Sequence, residues 1–209
     1  MARKSRTASR SSSSNKSEAD ALVEAALAEI AALGWREVTL DGVAARAGVD
    51  IVSVRRHAPL KVYLLPLIVD AIDLEVFTKP VASDPQSSPR DRLFSVIMRR
   101  FDALQRRREA IKALVKGLSR DPAAAIVLLQ RLERSGAATL VAADLSPDGW
   151  AGCARRIGLK AVMAASFRAW HDDDSADLAK TMAALDKALT WAERAASGLR
   201  RSRSSRPES

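Results

Sequence analysis

The sequence predicts an all-α chain in two parts, a small N-terminal head joined to a larger helical body. Three observations carry that prediction. Aromatic residues make up only 4% of the chain, while Ala and Leu are abundant and β-branched residues are scattered, a composition that favours a helical core over a sheet. Apolar residues recur at helical rather than alternating spacing. Later helix starts are marked by a capping residue before a proline, at Ser88-Pro89, Asp121-Pro122 and Ser146-Pro147; the missing proline N–H costs nothing at the first helical position. A length of 209 residues with 47% hydrophobic and 28% charged content fits one globular domain or a head on a larger body.

Taken in order, residues 1–17 are rich in Ser and Arg with almost nothing to bury, and are expected to form a disordered basic arm. The first helix is predicted to begin at Ser17, where Ser-Glu-Ala-Asp resembles a capping box. Leu22, Val23, Ala26, Leu27, Ile30 and Leu33 then follow at helical spacing to a Gly34 cap. Thr39 caps a short second helix, about Leu40 to Ala47, closed by Gly48. Asp50 caps a third, to about His57. Pro59 separates that from a long apolar fourth helix, Lys61 to about Phe77.

The Pro- and Ser-dense stretch Pro80 to Pro89 marks the junction between a head at 18–79 and a body at 80–199. Within the body, helices are predicted at about 89–106, 108–119, 122–142, 147–170 and 175–198. A second basic tail, 200–209, is expected to be disordered like the first.

The formal net charge of +9 sits mostly in the tails. Residues 1–17 hold Arg3, Lys4, Arg6, Arg10 and Lys16 with no acid, and 200–209 hold four arginines against Glu208, leaving the body close to neutral. One cysteine, Cys153, cannot form an internal disulfide, and no apolar signal segment follows the basic start, so a reducing cytoplasm is expected. No uncharged stretch approaches the ~18 residues of a spanning helix. Two separated histidines and a lone cysteine leave no material for a zinc cluster. Neither a catalytic constellation nor a cofactor motif is present, so no catalytic residue, metal or cofactor is expected.

Three short helices with a glycine turn between the second and third, followed by a long linking helix, form the helix-turn-helix arrangement. The second helix should cross the DNA backbone and the third should face the major groove. Val49 and Val54 are placed to pack inward, while Ser53, Arg55, Arg56 and His57 supply groups for bases or phosphates.

Ala25-Ala26-Leu27 through Gly34-Trp35, then Val38-Thr39-Leu40-Asp41-Gly42-Val43-Ala44-Ala45-Arg46-Ala47-Gly48-Val49, and finally Val54-Arg55-Arg56-His57-Ala58-Pro59-Leu60-Lys61 with Leu64-Leu65 resemble the head of the tetracycline-repressor (TetR) family of transcriptional regulators. The resemblance implies that Thr39 and Lys61 grip phosphates and that third-helix residues read an operator. It further implies a homodimer, with a small apolar effector held in the body by residues that the sequence does not identify. Phe94, Met98, Phe101, Val127, Leu128, Met163, Phe167 and Trp170 suit either core packing or the lining of such a site. The sequence departs from the family at Arg55, usually Tyr, at Val52, usually small, at Ala58, usually Phe, and at Leu60, usually Ser or Asn. Between Glu18 and Leu65 five basic residues face seven acids, so DNA affinity is expected to lean on the arm.

A second resemblance gives an alternative. Ala169-Trp170-His171-Asp172-Asp173-Asp174-Ser175 through Leu185-Asp186 is similar to the C-terminal region of the lipid-binding accessory proteins of ubiquinone biosynthesis, which share the TetR fold with a degenerate head. That resemblance implies lipid or quinone binding without operator recognition. Residues 90–120, with ten basic side chains, three acids and an apolar stripe of Leu93, Ile97, Phe101 and Leu104, would then meet an anionic lipid surface.

A homodimer is expected to form through the last two long helices. Ala161, Ala164, Ala165, Ala183, Ala184, Ala188 and Ala192 allow close approach, and Leu178, Met182, Leu185 and Leu189 form a stripe for the core or a partner.

Overall fold

The computed structural model describes residues 4–78 and 87–204, with side chains described for 18–78 and 87–197. Among the described residues all regular structure is helical. The order is α1 (Lys4–Leu33), α2 (Leu40–Ala47), α3 (Ile51–His57), a 3-10 turn (Lys61–Tyr63), α4 (Leu64–Thr78), α5 (Pro89–Gln105), α6 (Arg108–Leu118), α7 (Pro122–Ala142), α8 (Gly149–His171) and α9 (Ala179–Ser204). None of the described helices is long and apolar enough to cross a membrane.

Local signals account for the caps. Thr39 Oγ1 accepts from the Gly42 amide at 3.0 Å and Gly48 closes α2 with φ +66°, a conformation glycine adopts at no steric cost. Asp50 accepts from the Val52 amide at 3.3 Å. Ser88 and Asp91 form a reciprocal box before α5: the Ser88 hydroxyl donates to Asp91 Oδ2 at 2.7 Å, and the Asp91 amide donates back to Ser88 Oγ at 3.2 Å.

Four boundaries differ from the sequence expectation. The backbone of α1 is already helical from Lys4, ahead of Ser17, because residues 4–17 contain no Gly or Pro to stop a helix propagating outward from its packed half. The fourth helix opens with a 3-10 turn. Leu60 supplies no capping side chain, and Pro66 has no N–H to bond the Val62 carbonyl, so the regular ladder starts late. α8 begins at Gly149 rather than Pro147, since Ser146 Oγ accepts from the Asp148 amide at 3.2 Å and holds the Ser-Pro segment in a turn. That turn folds onto Gly152, where an added Cβ would lie 2.2 Å from the Pro147 carbonyl carbon.

α9 begins at Ala179 rather than near Ser175 and runs on to Ser204. The preceding turn is built around Asp173, which is fully buried and accepts from the Thr181 amide and hydroxyl, both at 2.8 Å, and from Ser175. Burial by itself would raise the pKa of this carboxyl. The hydrogen bonds from Ser175 and Thr181 outweigh burial and hold it well below the usual carboxylate range.

The chain groups into two compact units. One comprises the residues up to Glu75 together with Ala103–Leu132; the other comprises Val76–Asp102 and the residues from Glu133 onward. In the first, α1 packs on both α2 and α6, and α2 packs on α3. Leu22, Ile30, Trp35, Val38, Val43, Val54, Leu64 and Leu65 form its buried centre. Residues 103–132, which a linear division near residue 80 assigns to the body, thus belong with the helix-turn-helix. In the second unit α8 packs along α9, and Ile97, Phe101, Leu140, Trp170 and Leu185 are among its buried residues.

Candidate nucleic-acid interface

α3 is seated by its apolar face. Val54 is fully buried, and so is Ala58, whose amide donates to the Val54 carbonyl at 2.8 Å and ends the helix. The first unit closes over this small residue where the related pattern has a large aromatic. With that face fixed, Arg55 and Arg56 are exposed, Ser53 and His57 are half-buried at the flanks, and Val49 is half-buried in the turn. Two guanidinium groups leaving one side of a helix suit a polyanion and the acceptor-rich edge of guanine.

α2 is tied to α1 by a salt bridge that the sequence did not single out. Arg46 Nε lies 2.7 Å from Glu29 Oε1, and Glu29 is buried on the inner side of α1. Its only sequence signal is an acid set between the core residues Ala26 and Ile30. Gly42 lets the pair come close, since a Cβ there would stand 3.3 Å from the Glu29 carboxylate. Thr39 is exposed at the same end of α2, and its hydroxyl proton is free to be donated while the oxygen caps the helix.

Lys61 has a different environment from an open phosphate contact. Its Nζ donates to the carbonyls of Trp35 at 3.1 Å and Arg36 at 3.0 Å, and it lies 4.9 Å from the centroid of the Trp35 ring. Two of its three N–H donors therefore hold the α1–α2 turn. Of the arm, Arg3 lies outside the described residues, as do the side chains of Lys4, Arg6, Arg10 and Lys16 on the α1 backbone.

α6 and the start of α7 brace this assembly. Trp35 Nε1 donates to Asp121 at 2.9 Å, and Gly117 lets α6 meet Trp35, since a Cβ there would sit 2.6 Å from that residue's own Cβ. Arg107 bridges Glu75 on α4 at 3.0 Å and Glu24 on α1 at 3.2 Å. Arg106 also pairs with Glu75, and Arg131 pairs with Asp70 and Asp73 of α4. Of the Arg106-Arg107-Arg108 run, the first two thus reach carboxylates within this unit, while Arg108 donates to Gln105 at 3.0 Å.

The lipid-facing surface of the alternative is not presented. Ile97, Phe101 and Leu104 are buried and Leu93 is half-buried, so the stripe faces inward. Arg90 reaches Asp186 and Thr190, and Arg92 donates to the Ala143 carbonyl at 3.1 Å. In the same unit Arg100 is buried, 5.7 Å from the Phe77 ring centroid, with Nη2 donating to Thr139 at 3.4 Å. Among the residues suited to packing or to an effector site, Phe101 and Trp170 are fully buried, with Trp170 5.2 Å from the half-buried Phe167 ring. Phe94, Met98, Val127, Leu128 and Met163 are half-buried.

The stripe from Leu178 into α9 divides. Leu178, Leu185 and Leu189 are buried, whereas Met182 is exposed. Ala161, Ala164, Ala165 and Ala183 are exposed, Ala184, Ala188 and Ala192 half-buried. Beside them Trp150 is 77% exposed, Ile157 62% and Trp191 64%. These large apolar side chains thus lie outside the core on two helices that pack on each other.

No family model matches the chain, and no curated protein sequence does. Solved structures do match. A TetR transcriptional regulator from Nitrosomonas europaea ATCC 19718 aligns with a TM-score of 0.67 and 22% identity over 84% of this chain and 98% of that one. One from Rhodococcus sp. RHA1 gives 0.61 and 21% over 85% and 96%. A tetR-family transcriptional regulator from Streptomyces coelicolor gives 0.59 and 15% over 88% and 83%. At these identities the likeness is one of fold, and the chain shares the fold of those regulators.

Proposed function

We propose that the chain is a DNA-binding transcriptional regulator of the TetR type, a homodimeric, ligand-responsive repressor that works in the cytoplasm. The observation that carries this reading is the seating of α3: Val54 and Ala58 are fully buried, and Arg55 and Arg56 leave the opposite side. In the proposed complex these arginines read bases, Ser53 and His57 flank them, and Thr39 donates to a phosphate. Lys61 acts by fixing the turn before α2. The basic side chains Arg3, Lys4, Arg6, Arg10 and Lys16 supply sequence-independent attraction, which offsets the acidic balance of the head. A second protomer joins through the exposed side of α8 and α9. In the proposed dimer the two recognition helices read successive half-sites of a palindromic operator, about one DNA turn apart. An apolar effector bound in the body weakens operator binding.

The test is selection of binding sites from a random duplex pool. A palindrome should be enriched, and Arg55→Ala with Arg56→Ala should abolish the preference while non-specific binding survives. Failure to enrich any sequence, together with isoprenoid or phospholipid in the purified protein, would overturn the reading in favour of lipid binding.

A further inference from the structure

The outward side of α3 carries a third side chain beside the two arginines, and it is apolar. Val52 stands at i, i+3 and i+4 spacing from Arg55 and Arg56, so the three share one face. Val52 is 53% exposed. Its backbone is held in place, since the Val52 amide donates to the Asp50 carboxylate that caps the helix. A β-branched residue at this position neither fills the core, as Val54 does, nor favours the helix, where its restricted χ1 makes it a poorer former than alanine. Folding alone gives no reason for its shape.

Major-groove chemistry does. The C5-methyl group of a pyrimidine is the apolar feature that a base pair presents on that edge, and alkyl side chains recognise it by contact. The neighbouring cations supply the complementary charge: Arg55 and Arg56 draw the face towards a polyanion and match the O6 and N7 acceptors of guanine. An alkyl group flanked by guanidinium groups on one helix face fits a methylated pyrimidine beside a guanine. Water gains nothing from the methyl group, so covering it by Val52 is favourable without any further hydrogen bond.

We propose that Val52 is a specificity residue that reads the 5-methyl group of a pyrimidine, thymine or 5-methylcytosine, in the major groove beside a guanine contacted by Arg55 or Arg56. This rests on the DNA-binding reading above. The full-length protein is first used to select sites from an unmethylated random pool, and no enrichment at all would remove that reading and this assignment together. In the selected duplex each thymine is then replaced in turn by deoxyuridine. Loss of the methyl group at one position per half-site should weaken binding about fourfold, the effect of burying one such group. Val52→Ala should bind both duplexes alike with a melting temperature no lower than that of the wild type. With that thymine·adenine pair replaced by cytosine·guanine, C5-methylation of the cytosine should tighten the wild type by the same factor if 5-methylcytosine is also read, and leave it unchanged if thymine alone is the source. A wild type indifferent to the methyl group at every position, or a Val52→Ala variant that keeps the full effect, overturns the assignment and leaves recognition by the arginines standing.

Discussion

The indole N–H of Trp35 and the carboxylate of Asp121 meet at 2.9 Å, 86 positions apart in sequence, and join the turn before α2 to the cap of α7. Asp121 accepts from the Ala124 amide with its other oxygen at 3.0 Å. The Ala124 and Trp35 hydrogen bonds, in that order, hold its pKa below the usual carboxylate value. Asp121→Ala removes a helix cap and strands the N–H of a fully buried indole, so it should destabilise the fold by about 2–3 kcal/mol. Because the folded pKa is depressed, this stabilisation is fully present above pH ~4 and is lost as pH falls through the folded value. Urea unfolding of both proteins at neutral and acidic pH should show the gap narrowing in acid.

Gly117 is the contact that lets α6 lie against Trp35. Gly117→Ala gains about 1 kcal/mol in helix propensity but forces a Cβ into the Trp35 side chain. Overpacking should win, for a net loss of about 1–2 kcal/mol in denaturant unfolding. A more stable variant would mean that α6 shifts away from Trp35 without cost.

Lys61→Ala separates two roles for one cation. A lysine on a phosphate contributes about −0.9 to the slope of log affinity against log salt. With its ammonium already donating to the Trp35 and Arg36 carbonyls, the variant should bind DNA more weakly and unfold more easily, by about 1–2 kcal/mol. Its salt slope should match that of the wild type. A slope flatter by one phosphate would return Lys61 to the DNA backbone.

Asp173 organises the turn into α9. Asp173→Asn puts an amide where the buried carboxylate accepts from Thr181 and Ser175, and should cost about 2 kcal/mol at neutral pH. The wild-type pKa is lowered in the folded state, so its advantage is complete above pH ~4 and fades below it. Thermal unfolding followed from pH 7 down to pH 2 should show the two proteins converging.

The exposed side of α8 and α9 is testable by mass. Light scattering should give close to twice 22.6 kDa for the wild type and close to 22.6 kDa for Ile157→Arg with Trp191→Arg. Helical content should be unchanged, because both side chains lie outside the core. A wild type that is monomeric at micromolar concentration would remove the paired recognition helices.

Local chemistry made much of this protein legible in its sequence. Thr39, Gly48 and Asp50 bound α2 and α3 by interactions that span a turn, and Asp121-Pro122 sets the start of α7 in the same way. The inward role of Val54 follows from spacing alone, as do the exposed positions of Arg55 and Arg56. Ser146-Pro147 misled because a capping hydroxyl and a proline also satisfy a tight turn, and the choice was made by Pro147 folding onto Gly152. The start of α1 lies further out than its sequence pattern suggests, because residues 4–17 hold little to bury but also no Gly or Pro to break a helix.

By itself, then, the sequence determined the all-α class, the order of the helices and the face that α3 turns outward, because these depend on periodicity and on caps a few residues away. Tertiary structure alone decided that α6 packs with the helix-turn-helix, that the Lys61 ammonium donates to the carbonyls of Trp35 and Arg36, and that Arg107 joins α1 to α4. It also decided that the apolar stripe of α5 faces inward. Each of those outcomes depends on which side chains meet across a helix crossing, at a small residue such as Gly117 or over a buried acid such as Glu29. A local pattern states which face of a helix is apolar, but only packing selects the helix that covers it.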